Sequence, residues 1–223
     1  MSVSVVMIRH LFKPVGLKGP AADAICPERG PKLLAQVRAT LGITAPTLVA
    51  HSPMLRTRQL ATLLFPDAPK LQLDLLGYEW LRPMYGDPYE SWAKMEESLE
   101  IPVTTATAQQ VYDLWPEARS IELVMAGMVR GLCLRAIQID GSGDAAVVVI
   151  GHTGLLEMPF PEDDRNQIVM LGEGHILAFT HEPEDDRIST AAPDLYQPAD
   201  LFPDIAPEAI ELETHPADRP PYL

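Results

Sequence analysis

Apolar and polar positions along the chain switch between a strand-like and a helix-like period. Val3 to Ile8 is a short, β-branched apolar run, which predicts a buried strand. A loop with Pro14, Gly16, Gly19 and Pro20 follows. The next predicted element is a helix over 28–41, with Leu33, Leu34, Val37 and Leu41 on one face and Gly42 behind it as a C-cap. Thr47 to Ala50 reads as a second strand. Ser52-Pro53 then predicts an N-cap with proline at the first helical position, and a helix to about Phe65. Leu71 to Leu75 is a short third strand.

From Tyr78 to Ser120 no period persists, and aromatic residues from Trp80 to Trp115 are scattered through the stretch. We read it as an irregular cap inserted over one end of the sheet, about 78–120. A long helix is expected over 121–139, striped by Val124, Met125, Met128, Leu132 and Ile137. Ala145 to Ile150 is the most strand-like run. Ile168–Met170 and Ile176–Phe179 are later strands divided by the turn Gly172-Glu173-Gly174. Strands alternating with helices predict an α/β fold: a three-layer sandwich with a mostly parallel sheet and helices on both faces. The expected domain covers 1–180, and 181–223 is expected to be a tail.

Charge sharpens this division. The chain has 17 Lys and Arg against 31 Asp and Glu, a formal charge of −14. Residues 181–223 hold 11 acidic and two basic residues, a net of −9, together with eight prolines, so that stretch is expected to form no long regular element. The acidity argues against nucleic acid and against polybasic docking on a membrane. No run reaches the roughly 18 apolar residues that a membrane span requires, and the N-terminus lacks the look of a secretory leader. The cytoplasm is the expected location. Cys26 and Cys133 form no CxxC pair, and no DxD or HExxH cluster suggests a metal, so no cofactor is expected.

In open α/β sheets, ligands bind beyond the carboxyl ends of the strands. The first predicted strand ends in Arg9-His10. The second ends in His51-Ser52 and leads to a helix whose first turn carries Arg56. The AAVVVI strand ends in Gly151-His152-Thr153-Gly154. Arginine forks and a helix N-terminus suit a phosphoryl group. A neutral His10 is a nucleophile near neutral pH, and His152 would steady the phosphoryl oxygens. Arg58 competes with Arg56 for the inward position. His51 reads as a packing residue, and His175 and His181 as structural.

These words, in this order, resemble the histidine phosphatase superfamily, in the branch of the cofactor-dependent phosphoglycerate mutases. The resemblance rests on RH near the N-terminus, CPERGPKLLAQVRATL, SPMLRTRQLATLLF and a late GHTG, and it covers roughly 3–180. It implies a phosphorylated histidine at His10, phosphate contacts from Arg9, Arg56 and His152, and a general acid from a glutamate after the third strand. Glu79 is the choice, with Glu90, Glu96 and Glu97 as rivals. The sequence departs from the family at RHLFKPVG: Leu11 replaces a glycine, and Lys13 and Gly16 stand where Thr and Asn are usual. Lys13 is expected to supply phosphate-binding charge instead.

The implied activity is hydrolysis of a phosphomonoester, either a small metabolite or a phosphorylated protein side chain, in a monomer or homodimer. The rivals are a phosphate- or protein-binding module that has lost turnover through the altered RHL loop, and a mutase-type phosphotransferase.

Overall fold

The computed structural model describes residues 1–10, 37, 41, 43, 45–77, 88–115, 118–141, 144–172, 174–184 and 194–196. Lys13, Glu79, most of the helix expected over 28–41 and most of the tail lie outside the described residues. Val37 and Leu41 are both helical, and Val37 is buried.

Six strands form one sheet: β1 (Val3–Arg9), β2 (Leu48–His51), β3 (Lys70–Gln72), β4 (Ala146–Gly151), β5 (Ile176–His181) and β6 (Asp194–Tyr196). Their order is β3-β2-β4-β1-β5-β6. The β3-β2, β2-β4 and β4-β1 pairs are parallel, and β5 and β6 join antiparallel at one edge. The helices among the described residues are α1 (Leu55–Leu64), α2 (Pro88–Leu99), α3 (Ala108–Leu114), α4 (Ala118–Asp140) and the single turn α5 (Glu162–Arg165).

The period-2 alternation of β1 divides the core in two. Val5 and Met7 point into the larger cluster, with Val147 and Val149 of β4 and Met125, Val129 and Leu132 of α4. Val6 and Ile8 point into the smaller one, with Val49, Val148 and Ile150 and with Leu60, Ala61 and Leu64 of α1. Helices therefore cover both faces, and the sheet is the middle of three layers. No helix among the described residues is long and apolar enough to cross a membrane.

Four elements differ from the sequence reading. The stretch read as irregular after Tyr78 is largely helical where it is described. It holds α2, a 3-10 turn at Val103–Thr105, α3 and the first turn of α4. A capping box starts α3: Thr107 Oγ1 accepts from Gln110 N–H at 3.2 Å, and Gln110 Oε1 accepts from Thr107 N–H at 2.8 Å. These helices are short, so each shows too few turns for a period to stand out. Ile168–Met170 is no strand but a single bridge between Val169 and Thr107, because its partner turns into α3 at Ala108. The third strand stops at Gln72 and gives way to a 3-10 turn at Asp74–Leu76. The tail contributes one short strand, β6, on the antiparallel edge.

Phe160 is fully buried and meets Phe179 of β5 edge to face, with ring centroids 5.0 Å apart. Phe160→Ala should lower the unfolding free energy by about 3–5 kcal/mol. Urea titration followed by far-UV circular dichroism would read this as a lower midpoint at unchanged slope.

Candidate active site

Strand order places the chemistry. Because β4 lies between β1 and β2, the segments leaving all three strands are neighbours at one end of the sheet. Register keeps them level: Arg9 pairs with Gly151, and His51 with Ile150. The pairing continues one residue past the strands, with His10 N–H donating to the Gly151 carbonyl at 3.1 Å and Ser52 N–H to the Ile150 carbonyl at 3.2 Å. Alternation along β1 and β4 carries His10 and His152 to the side on which α1 packs.

His10, His152 and Arg56 are all buried and converge there. The two imidazole rings lie 4.9 Å apart between centroids, tilted by 59°. Arg56 belongs to the buried stripe of α1 with Leu60 and Leu64, four and eight residues on, so the helix aims it at the sheet end. Its Nη2 approaches His152 Nδ1 at 3.4 Å. Arg58, its competitor, is exposed. His51 is buried and donates from Nδ1 to the Ser52 carbonyl at 2.8 Å, a packing role.

Ser52 departs from its expected part. The helix begins at Leu55, and its N-cap position is Met54, whose side chain makes no capping bond. The Ser52 hydroxyl still takes Met54 N–H at 3.3 Å, but it also reaches His152 Nε2 at 3.0 Å and Thr57 Oγ1 at 2.8 Å. Its placement beside His152, one strand over, draws it from the cap into the site.

Arg9 projects to the other face of the sheet. One of its terminal nitrogens donates to the Leu171 carbonyl. Its Nε is buried, and among the described residues no acceptor meets it. Glu157 stands beside it, fully buried. Oε1 accepts from Thr153 Oγ1 at 2.6 Å and from Leu171 N–H at 2.7 Å, and Oε2 accepts from Gly154 N–H at 2.8 Å. Burial pushes this carboxyl above its usual range, while the Thr153 and backbone hydrogen bonds and the Arg9 charge pull it back. Glu157 thus ties the turn after His152 to the segment that holds Arg9. Sequence reasoning passed over it, although a lone carboxylate in the apolar run Leu155-Leu156-Glu157-Met158 announces burial and pairing.

His175, whose carbonyl accepts from Arg9 N–H at 3.0 Å, is held down to about 3 by burial and by the Arg9 charge. Cys133 is buried on α4 and pushed up to about 12 by desolvation, so it stays a thiol. Among the described residues no cluster of three or more His, Cys, Asp or Glu is arranged to hold a metal ion.

Two predictions follow from this cluster. Glu157→Ala strands three donors and leaves Arg9 without its counter-charge, which should cost about 3–5 kcal/mol of stability, read by urea unfolding. His175 resists protonation when folded, whereas the unfolded chain takes that proton near 6.5. Its contribution is therefore complete above about 6.5 and is lost as pH falls toward 3, by at most about 1.4 kcal/mol per unit. Urea midpoints at pH 7 and pH 4.5 should diverge more in the wild type than in His175→Gln.

Comparison with known proteins gives a matching fold. No family model and no curated protein matches the chain. Among solved structures it is similar to a phosphoglycerate mutase from Bacillus anthracis str. Sterne, with a TM-score of 0.57 and 14% identity over 90% of this chain and 94% of that one. It is also similar to a mycobacterial glucosyl-3-phosphoglycerate phosphatase complexed with VO3, with a TM-score of 0.53 and 15% identity over 87% and 99% of the two chains. Phosphoserine phosphatase from Entamoeba histolytica, in complex with 3-phosphoglyceric acid, aligns with a TM-score of 0.50 and 14% identity over 87% and 98%. The chain shares the fold of these phosphatases and of this mutase.

Proposed function

We propose that this chain, with its histidine phosphatase fold, is a phosphomonoester hydrolase that works through a phosphohistidine at His10. The observation that carries this reading is the convergence of His10, His152 and Arg56 within a buried strand-end site.

In the first step, an unprotonated ring nitrogen of His10 attacks phosphorus and the bond to the leaving oxygen breaks. Arg56 and His152 hold the phosphoryl oxygens as charge moves onto them, and the phosphate contact given to Arg9, whose side chain leaves β1 toward the other face, rests on the family resemblance alone. Glu79 protonates the leaving oxygen. In the second step, Glu79 takes a proton from water, water attacks phosphorus, the P–N bond breaks and orthophosphate departs. Lys13 adds charge to the phosphate. The role of Glu79 rests on the family resemblance alone, and that of Lys13 on its charge at a position where the family usually has Thr. The substrate class is a small phosphorylated metabolite or a phosphorylated protein side chain. Similar solved structures include phosphatases of phosphoserine and of glucosyl-3-phosphoglycerate, along with a mutase.

A panel of phosphomonoesters, assayed with wild type and His10→Ala, tests the proposal. The expected result is orthophosphate release that falls by on the order of 10⁴-fold or more in the variant, with acid-labile, base-stable phosphate trapped on the wild type. Binding of phosphate without label or turnover would favour the non-catalytic module. Phosphate transfer to a second hydroxyl in place of water would favour the mutase.

A further inference from the structure

The strand ends that carry the two histidines are held from the face opposite α1 as well as within the sheet. His152 opens a turn: Leu155 N–H and Leu156 N–H both donate to its carbonyl, at 3.3 and 3.2 Å, and Gly154 takes a left-handed φ of 78°. Alternation sends the next side chain, Thr153, away from α1, and Glu157 meets it there. The Glu157 carboxylate takes Thr153 Oγ1 at 2.6 Å and Gly154 N–H at 2.8 Å. The end of β1 is held by Leu171, Gly174 and His175. The His10 carbonyl accepts from Gly174 N–H at 3.2 Å, Arg9 N–H donates to the His175 carbonyl at 3.0 Å, and the Arg9 guanidinium donates to the Leu171 carbonyl. Glu157 joins the two holds, because the Oε1 that takes Thr153 also takes Leu171 N–H at 2.7 Å.

We infer that Glu157 is a positioning residue: through the turn after His152 on one side and Leu171 on the other, it fixes where His152 stands relative to His10. The inference rests on the phosphate-site reading above and adds a residue on which that site depends. The sheet's own hydrogen bonds reach Gly151. Beyond it the turn sets the course of the chain, and a turn tied to a fully buried carboxylate by charge-assisted hydrogen bonds keeps one conformation. An ionised carboxylate suits the task because it only accepts and has room for all three donors.

The sign of the effect separates position from charge. A carboxylate is an unexpected neighbour for an anion site. If Glu157 acted through its charge alone it would repel the anion, and removing the charge would strengthen binding. A positioning role demands the opposite: binding weakens whenever the three hydrogen bonds are disturbed, whether the charge is kept or lost.

The test is calorimetric orthophosphate binding by the full-length protein and three variants, each checked for folding by circular dichroism. Glu157→Gln keeps the size of the side chain and removes its charge. An amide has one acceptor oxygen, so keeping Thr153 and Leu171 on that oxygen turns its NH2 toward Gly154 N–H, donor against donor. Glu157→Asp keeps the charge and draws the carboxylate back by one methylene, away from all three donors. Leu132→Ala lowers stability from within the larger core and leaves these hydrogen bonds alone. Both Glu157 variants should bind orthophosphate more weakly by about tenfold to a hundredfold, the scale set by a misplacement of an ångström or less, while Leu132→Ala matches the wild type. A merely structural role would leave every folded variant with the wild-type affinity. Unchanged affinity in a folded Glu157→Gln or Glu157→Asp, tighter binding in Glu157→Gln, or equal weakening in Leu132→Ala overturns the inference and leaves the site standing. Should one Glu157 variant fail to fold, the other decides. Absence of orthophosphate binding by the wild type overturns the phosphate-site reading, and this inference with it.

Discussion

Two backbone hydrogen bonds, from His10 N–H to the Gly151 carbonyl and from Ser52 N–H to the Ile150 carbonyl, extend the sheet's register one residue past its parallel strands. The site depends on that extension. With β4 inserted between β1 and β2, residues 10, 52 and 152 become neighbours although more than 40 positions separate each from the next. A slip of one residue in either pairing would send an imidazole to the opposite face of the sheet. The apolar alternation that builds the two cores therefore also aims the histidines, and stability and chemistry share one constraint.

The charges follow the same logic. Burying Arg56 and two imidazoles, with a half-buried Arg9 across the sheet, is costly unless each is met by a partner. Glu157 and the Leu171 carbonyl meet Arg9 from one side of the sheet, and His152 meets Arg56 on the other. The Glu157 carboxylate is in turn held by Thr153, Gly154 and Leu171, so its charge is anchored to the turn that follows His152. An overall charge of −14 hides this local arrangement, because a buried site is governed by its immediate neighbours more than by a distant acidic tail.

Much of the fold could be read from the chain, for a physical reason. Buried parallel strands are continuous apolar runs, and Val3–Ile8 and Ala145–Ile150 match β1 and β4 to within a residue or two. Once those strands were in hand, the residues just after them were candidates by topology alone. Short elements were harder. Thr107 and Gln110 form a capping box whose spacing was present in the sequence, but α3 has only seven residues and shows little period. Ile168–Met170 has the composition of a strand yet makes only one bridge, since tertiary context overrides propensity. Ser52 was legible as a cap and not as a partner of His152, because the contact spans 100 positions and exists only through strand order. Glu157 likewise acquires its role from Leu171, 14 residues away, and from Arg9.

The central claim is that separate stretches of chain form a single oxyanion site. Imidazole nitrogen NMR during a titration with orthophosphate tests it most directly, with signals assigned through His10→Ala and His152→Asn. The account predicts that the ring resonances of His10 and His152 move together, with one shared dissociation constant, while those of His51 and His175 stay nearly still. Movement of only one of the pair, or two unrelated saturation curves, would contradict it.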